Sequence, residues 1–276
     1  MQSFNRLVTL TVFMAFVMVL QQKAEVPARP HQEMITANIS TIWWREDGLK
    51  HVVSDILPQV DRLNIFLQGY KSVPDFVLHP KITVIRGEDY PAVWALGASA
   101  KFFWADKIQG YHFTIDDDLV YPPDYVTYCI QKIEQYGRKA VVGFHGTLLK
   151  DDLANCTASK KKFKFRKTLF NFHFALDNDQ PVHVLGTGVM AYHTDTIKVS
   201  INDFPTRSMD DIYFGILAQQ QHVALICLQR GVDYIKPIEP LASNPLSVYE
   251  QARQDGGKEM LAVLQKHGAW KLYETR

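Results

Sequence analysis

Apolar residues recur along this chain in two rhythms, one suited to strands and one to helices. Residues 34–39 (MITANI), 62–67 (RLNIFL) and 81–85 (KITVI) are short apolar or alternating runs that predict strands, the second and third following turn signals at Pro58-Gln59, Pro74 and Pro80. Between the first two, Leu49, Val52, Val53, Ile56 and Leu57 keep the three-four spacing of a helix over 47–57, which Pro58 stops. Strand, helix, strand, loop, strand is the opening of a doubly wound sheet. Further along, the pattern predicts a helix over 98–109 ended by Gly110, a strand over 111–115 (YHFTI), a helix over 124–136 capped by Gly137, and a buried strand over 140–144. Residues 145–180 read as a loop or small excursion from the sheet. Residues 182–193 return to strand character, broken by Gly186-Thr187-Gly188, and a helix over 209–222, a strand over 223–228 and a late helix over 258–267 complete the pattern. The expected fold class is α/β, a mostly parallel, Rossmann-like sheet flanked by helices.

Composition narrows the picture. With 276 residues, 47% of them hydrophobic, the chain can bury one large α/β core or two tightly fused halves. A formal net charge of +1 gives no general attraction to nucleic acid or membrane, so an anionic partner must be held by a local patch. The three cysteines, Cys129, Cys156 and Cys227, are far apart and form no CxxC, which argues against a disulfide scaffold or a cysteine zinc site. Residues 7–20 are almost purely apolar, short for a spanning helix, and read equally as a short membrane anchor, a signal sequence or a start-site artefact. Residues 1–33 are therefore set apart as an apolar segment and linker, and 34–276 are read as the functional domain. The expected location is cytoplasmic, with membrane association through residues 7–20.

The strongest local signal is YHFTIDDDLVYPPDY. Three consecutive carboxylates repel one another, and here they follow an apolar strand, at the kind of strand end where α/β sheets bind ligands. Carboxylate oxygens suit Mg²⁺ or Mn²⁺, ions that bridge protein acids to substrate phosphates. In an extended segment Asp116 and Asp118 point the same way, so one can reach a metal and the other a nucleotide ribose. A second acidic pair, Asp210-Asp211, opens a predicted helix, where it can cap the helix or supply a general base. The glycines around Thr187 imply either a β-bulge or the close approach of a ligand or another backbone.

These residues carry a resemblance. TIDDDLVYPPDYV is similar to family-2-like transferases of bacterial capsule and surface-polysaccharide synthesis, which have the GT-A glycosyltransferase fold. The segments ITANISTIWWREDGLKHVVSDILPQVDRLNIFLQGY, GRKAVVGFHG, VLGTGVMAYHT and DDIYFG extend it over residues 34 to 235. The resemblance implies a GT-A domain that moves a sugar from a nucleoside diphosphate sugar, UDP-linked, to a hydroxyl of a glycan or lipid-linked glycan, with inversion. It implies that Asp116 and Asp118 hold Mn²⁺ or Mg²⁺ while Asp116 and Asp117 meet the nucleotide. Asp211 or Asp210 would be the base. Thr36, Ala37 and Asn38 would hold the nucleotide base in a loop, Lys101 would contact the nucleotide, and Gly186, Thr187 and Gly188 would line the donor and acceptor sugars. Arg45 would pair with a phosphate or a nearby acid such as Asp47. GT-A metals often gain a late histidine, which makes His267 a metal ligand candidate, with His222 and His145 behind it. The chain departs from the family pattern at Gln68-Gly69-Tyr70, where an Asp that reads the base is expected.

The basic stretch from Lys160 to Lys167, interleaved with Phe163 and Phe165, fits a lid over a diphosphate, a cradle for an anionic acceptor or a solvated loop; nothing else in the chain supports nucleic acid. Two other classes of function remain open: a nucleotidyl- or phosphotransferase on a related sheet, although no N-terminal Gly-rich phosphate loop is present, and a non-catalytic glycan-binding module.

Overall fold

A computed structural model describes residues 33–159, 163–239, 241, 254 and 256–275. The chain divides into two units, Met1–Glu33 and Met34–Arg276. The apolar run 7–20 lies outside the described residues, and every described element belongs to the second unit.

In chain order, the described elements are β1 (Ile35–Ile42), α1 (Glu46–Ile56), β2 (Arg62–Gln68), β3 (Ile82–Arg86), the single turn α2 (Pro91–Trp94), β4 (Tyr111–Ile115) and β5 (Leu119–Val120). Next come α3 (Tyr125–Gln135), β6 (Ala140–Gly143), β7 (Gly146–Leu149), β8 (Arg166–Phe170), β9 (Gln180–Val182), β10 (Val184–Leu185) and β11 (Val189–His193). The series ends with α4 (Asp210–Gln221), β12 (Ala224–Cys227), β13 (Lys236–Pro237) and α5 (Lys258–His267).

Eight strands form one sheet in the order β3-β2-β1-β4-β11-β6-β12-β9. The first four are mutually parallel, and β6 and β12 run the same way. β11 and β9 run against them. The result is a mostly parallel, Rossmann-like α/β sheet. Period-two alternation sorts its faces. Ile35, Ala37 and Ile39 of β1 join Leu63, Ile65, Phe113 and Ile115 in a core under α1 and α3, which contribute Leu49, Val52, Ile56, Val126, Cys129 and Ile133. The opposite face buries Phe102, Met190, Tyr192 and Leu225 against Phe214, Leu217 and Ala218 of α4. No helix among the described residues is long and apolar enough to cross a membrane.

Three sequence expectations need correction. β1 runs on to Ile42, so Thr36, Ala37 and Asn38 are not loop residues; they are 2%, 0% and 0% exposed in mid-strand. Residues 98–109 do not form one helix but the 3₁₀ turns Gly97–Phe102 and Ala105–Lys107. Ser99, Ala100, Lys101 and Phe102 are buried consecutively, which an amphipathic α-helix with a single apolar stripe does not allow. The excursion after β6 contains a second, three-stranded sheet, β10-β7-β8. There Phe165 joins Leu149, Leu153, Leu261 and Leu264 in a separate core, and Arg166 lies 4.2 Å over the Phe163 ring. The aromatic residues of the basic stretch are thus core and cation-π partners rather than a stacking platform for nucleic acid; Lys160–Lys162 lie outside the described residues.

Candidate functional site

Strand direction brings the acidic run and the Gly186-Thr187-Gly188 turn together. β4 ends at Ile115, and β11, antiparallel to it, begins at Val189 opposite that residue. The turn before β11 therefore sits beside the aspartates that follow β4. A Cβ at Gly188 would overlap the Asp116 carboxylate, and one at Gly186 would press on His145. On the other side, a Cβ at Gly48 in the first turn of α1 would overlap the Asp117 carbonyl oxygen. The close approach inferred from these glycines is real, and its partners are groups of the protein itself. Tyr121 joins the two segments: its hydroxyl accepts from Asp116 N at 2.8 Å and donates to the Gly188 carbonyl at 2.5 Å, with the residue 2% exposed.

The three aspartates do not alternate as an extended segment would: Asp117 and Asp118 lie in a turn between β4 and β5 and both meet Arg45, whereas Asp116 meets Lys101. Asp117 is buried, and the side chains of Asp116 and Asp118 are 38% and 19% exposed. Arg45, just after β1, donates to Asp117 Oδ1 at 2.6 Å and to Asp118 Oδ2 at 3.0 Å, so its partners are the acidic run and not Asp47. Its guanidinium lies 4.9 Å from the Trp44 ring centroid, and Trp43, at the strand tip, is 59% exposed.

Lys101 is neither a surface cation nor placed to wait in solvent for a ligand. Its residue is 1% exposed, and its ammonium donates to Asp116 Oδ1 at 2.5 Å and to Thr187 Oγ1 at 3.4 Å, with Asp210 Oδ2 at 3.2 Å. Burial alone would lower its pKa; the Asp116 and Asp210 charges outweigh burial and hold it above the ordinary range. Asp210 and Asp211 open α4, where the helix dipole favours anions. Thr187 couples them: its hydroxyl stands 2.5 Å from Asp210 Oδ2 and 2.8 Å from Asp211 Oδ1, and its backbone N–H donates to the same Asp211 oxygen at 2.8 Å. One hydroxyl proton serves two carboxylates, so the pair is under-supplied with donors.

Five carboxylates (Asp116, Asp117, Asp118, Asp210 and Asp211) thus share two cations, Arg45 and Lys101. The imbalance appears in the acids themselves. Burial, then the neighbouring aspartates, push Asp118 up to about 7 against the pull of Arg45 and Lys101. Burial and Asp210 push Asp211 up to about 6. Burial likewise raises Asp117, although Arg45 and a hydrogen bond from Thr41 oppose it.

The histidine candidates lie elsewhere. His267, in the last turn of α5, packs on Trp270 at 4.9 Å. His222 is the left-handed C-cap of α4 and packs on Tyr273. His145 lies behind Gly186 against Phe172 and is held at about 3 by burial and by Arg166 and Arg230. Among the described residues no group of three or more His, Cys, Asp or Glu side chains is placed to hold a metal, so Asp116, Asp118 and His267 do not assemble as a ligand set.

No family model matches the chain, and no curated protein matches it in sequence. Weak likenesses among solved structures include the following two. One is the inositol-1-phosphate CTP transferase from T. maritima, at 10% identity and a TM-score of 0.42, covering 86% of this chain and 97% of that one. The other is A197 from STIV, at 15% identity and a TM-score of 0.28, covering 63% and 83% respectively.

Thr36, Ala37 and Asn38, expected at a nucleotide base, are buried in the sheet: Asn38 donates to His112 Nε2 at 2.9 Å and accepts from Asn64 at 2.9 Å. Sequence reasoning missed Tyr121, Thr41 and Gly48. Tyr121 carried a usable signal, an aromatic residue held next to Pro122-Pro123 directly after the acids; the other two had none.

Proposed function

We propose that this chain is a metal-dependent glycosyltransferase that moves a sugar from a nucleoside diphosphate sugar, UDP-linked, to a hydroxyl of a glycan or lipid-linked glycan. One observation carries this reading: acids from the tip of β4 and from the start of α4 converge on Lys101 and Thr187, at the carboxyl edge of a parallel sheet. The sequence resemblance to GT-A transferases assigns those same two acidic groups to donor and acceptor.

Asp116 and Asp118 are the more exposed acids of the run, and the pocket has more negative charge than Arg45 and Lys101 neutralise; with oxygens from a bound diphosphate completing the ligand set that the protein alone does not supply, they would hold a hard divalent cation. Bound Mn²⁺ or Mg²⁺ would supply charge neutralisation at a departing diphosphate. The chain's own residues do the rest. Arg45 fixes Asp117 and Asp118, while Tyr121 and Gly188 fix Asp116. Asp210 is tied to the ammonium and 6% exposed, whereas Asp211 is partly exposed and raised towards neutrality, the better arrangement for accepting a hydroxyl proton. Attack by that hydroxyl on the anomeric carbon, opposite the leaving diphosphate, inverts the centre.

The test is a panel of nucleotide sugars with Mn²⁺, scored by nucleoside diphosphate release and by thermal shift, with Asp118→Ala beside the parent. The expected loss of transfer in the variant is about a thousandfold, with a folded protein remaining. Full transfer and metal-dependent UDP binding by Asp118→Ala would refute the assignment. Release of pyrophosphate in place of a nucleoside diphosphate would make the chain a nucleotidyltransferase.

A further inference from the structure

We propose that the carboxyl ends of β6 and β12 form a second, oppositely charged subsite, built on Arg230 and His145, that takes a carboxylate or phosphate group carried by the acceptor. This rests on the reading of Asp211 as the base that meets the acceptor. β6 and β12 are parallel neighbours and run the same way as β4. His145, two residues beyond β6, and Arg230, three beyond β12, therefore emerge at the same edge of the sheet as the acidic run. They emerge on its acceptor side. Gly186 N donates to the His145 carbonyl at 2.8 Å, and a Cβ at Gly186 would press on His145. The next residue is Thr187, which holds Asp211.

Arg230 is a buried cation without an anion. It is 8% exposed, and its guanidinium donates to the Leu228 and Asn171 carbonyls, each at 2.7 Å, and to Cys227 Sγ at 3.4 Å. These partners orient the charge and do not neutralise it. Its Nε has no partner, and among the described residues no carboxylate pairs with it. Asp179, whose charge reaches Cys227, is committed to Lys132 at 2.8 Å, Tyr136 at 2.7 Å and the Gln229 N–H at 2.7 Å. A buried charge is ordinarily paired, and the two oxygens of a carboxylate or phosphate match a guanidinium best. The surroundings add positive charge: burial, then Arg166, Arg230 and His173, hold His145 below its ordinary range. The corner is nevertheless open, since His145, Arg166 and His173 are all partly exposed. Rings lead outward from it, His145 to Phe172 at 5.8 Å, Phe172 to His173 at 5.4 Å and His173 to Phe174 at 4.3 Å, and Phe174 is 63% exposed. A cationic pocket with an aromatic rim suits an acidic sugar or a sugar phosphate, which presents a C–H face beside its charge.

The experiment titrates the full chain, without metal or donor, with inorganic phosphate, D-glucuronate and neutral D-glucose, and reads calorimetric affinity and the ring resonances of the histidines. Phosphate and glucuronate should bind more tightly than glucose, and should move the His145 resonances while those of His222 and His267 stay in place; the tighter of the two anions identifies the group the acceptor carries. Arg230→Gln should weaken anion binding by about tenfold or more. Lys167→Gln makes the same charge change at a side chain that is 58% exposed, next to Arg166 in sequence, and should weaken it by less than about twofold. In transfer assays the preference for glucuronate over glucose as acceptor should fall by about tenfold in Arg230→Gln. No anion binding by the parent, or an equal loss in Lys167→Gln, would overturn the proposal while nucleoside diphosphate release still supports the glycosyltransferase reading. Should Arg230→Gln fail to fold, the His145 response of the parent decides it. Anion binding without release from any nucleotide sugar would keep the anion site and overturn its assignment to an acceptor, together with the glycosyltransferase reading.

Discussion

Two polar networks cross this sheet, and they are built on opposite principles. In mid-sheet, Asn64 donates to Asn38 at 2.9 Å, Asn38 to His112 Nε2 at 2.9 Å, and His112 Nδ1–H then points to the Tyr192 hydroxyl at 2.6 Å. Every member is neutral; burial holds His112 down at about 3. The chain of donors runs head to tail across β2, β1, β4 and β11. At the edge of the same sheet the second network joins five acids to two cations and the hydroxyls of Thr41 and Thr187. The first network is neutral and buried, with each side chain bonded to the next. The second has more acids than cations, and on the proposed reading that deficit is what a cation, and then an acceptor proton, would fill. Burial of polar groups alone distinguishes neither network; the charge imbalance does.

The sharpest way to test the contrast is to alter each network at one atom. Asp211→Asn should lower kcat by about a hundredfold to ten-thousandfold, since it removes a base and leaves the shape. Nucleotide-sugar binding should persist, because Asp211 touches only Thr187 and not the acidic run. A variant with both kcat and fold unchanged would end the assignment of the edge network to chemistry. Next in size is Gly188→Ala. The added methyl has no space beside Asp116, and displacement of that carboxylate by about an ångström should cost about a hundredfold in kcat/KM. Gly137→Ala, at a glycine with nothing within contact distance but φ +60°, is the control that costs stability without touching the site.

The mid-sheet network should respond in the other currency. His112→Leu leaves the Asn38 amide and the Tyr192 hydroxyl without their partner, at a cost of about 1–3 kcal/mol in stability. The readout is a lower melting temperature with kcat/KM within about threefold of the parent at a temperature where both are folded. A catalytic loss comparable to that of Asp211→Asn would show that the two networks are one.

Much of this architecture was legible beforehand, and the misses have physical causes. Helices α1 and α3 follow periodicity closely because each buries one face against the sheet, and α5 because it buries Leu261 and Leu264 in the smaller core. The residues 98–109 misled because their burial comes from the charge pairing of Lys101 and the aromatic stacking of Phe102, neither of which has a helical period. Asn38 misled in the opposite direction. A polar residue near a strand end looks available for a ligand, but its partners, Asn64 and His112, are 26 and 74 residues away. The acidic run and the Gly186-Thr187-Gly188 turn were each visible as local anomalies. Their adjacency was not, since it depends on β11 running antiparallel beside β4. Likewise, that Lys101 joins Asp116 to Asp210 follows from the fold and from no spacing in the chain.

The smallest effect tests the charge balance directly. Asp211 must be ionised to accept a proton, and burial together with Asp210 raises its carboxyl from 3.8 to about 6. The rate should therefore climb as pH rises through about 6 and level off above it. Asp210→Asn removes the like charge, so the acid limb moves to lower pH; Lys101→Met removes a cation that favours the ionised form, so the limb moves to higher pH. The linkage to stability has its own sign. A carboxyl whose folded pKa lies above its unfolded value binds its proton more tightly when folded, so its contribution is full below 3.8 and is lost as pH rises to about 6. Over that interval the metal-free protein should melt at falling temperature, and Asp211→Asn should flatten this part of the curve. If both Asp210→Asn and Lys101→Met shift the rate limb in the same direction, the charges around Thr187 do not set the base, and the contrast between the balanced and unbalanced networks loses its chemical meaning.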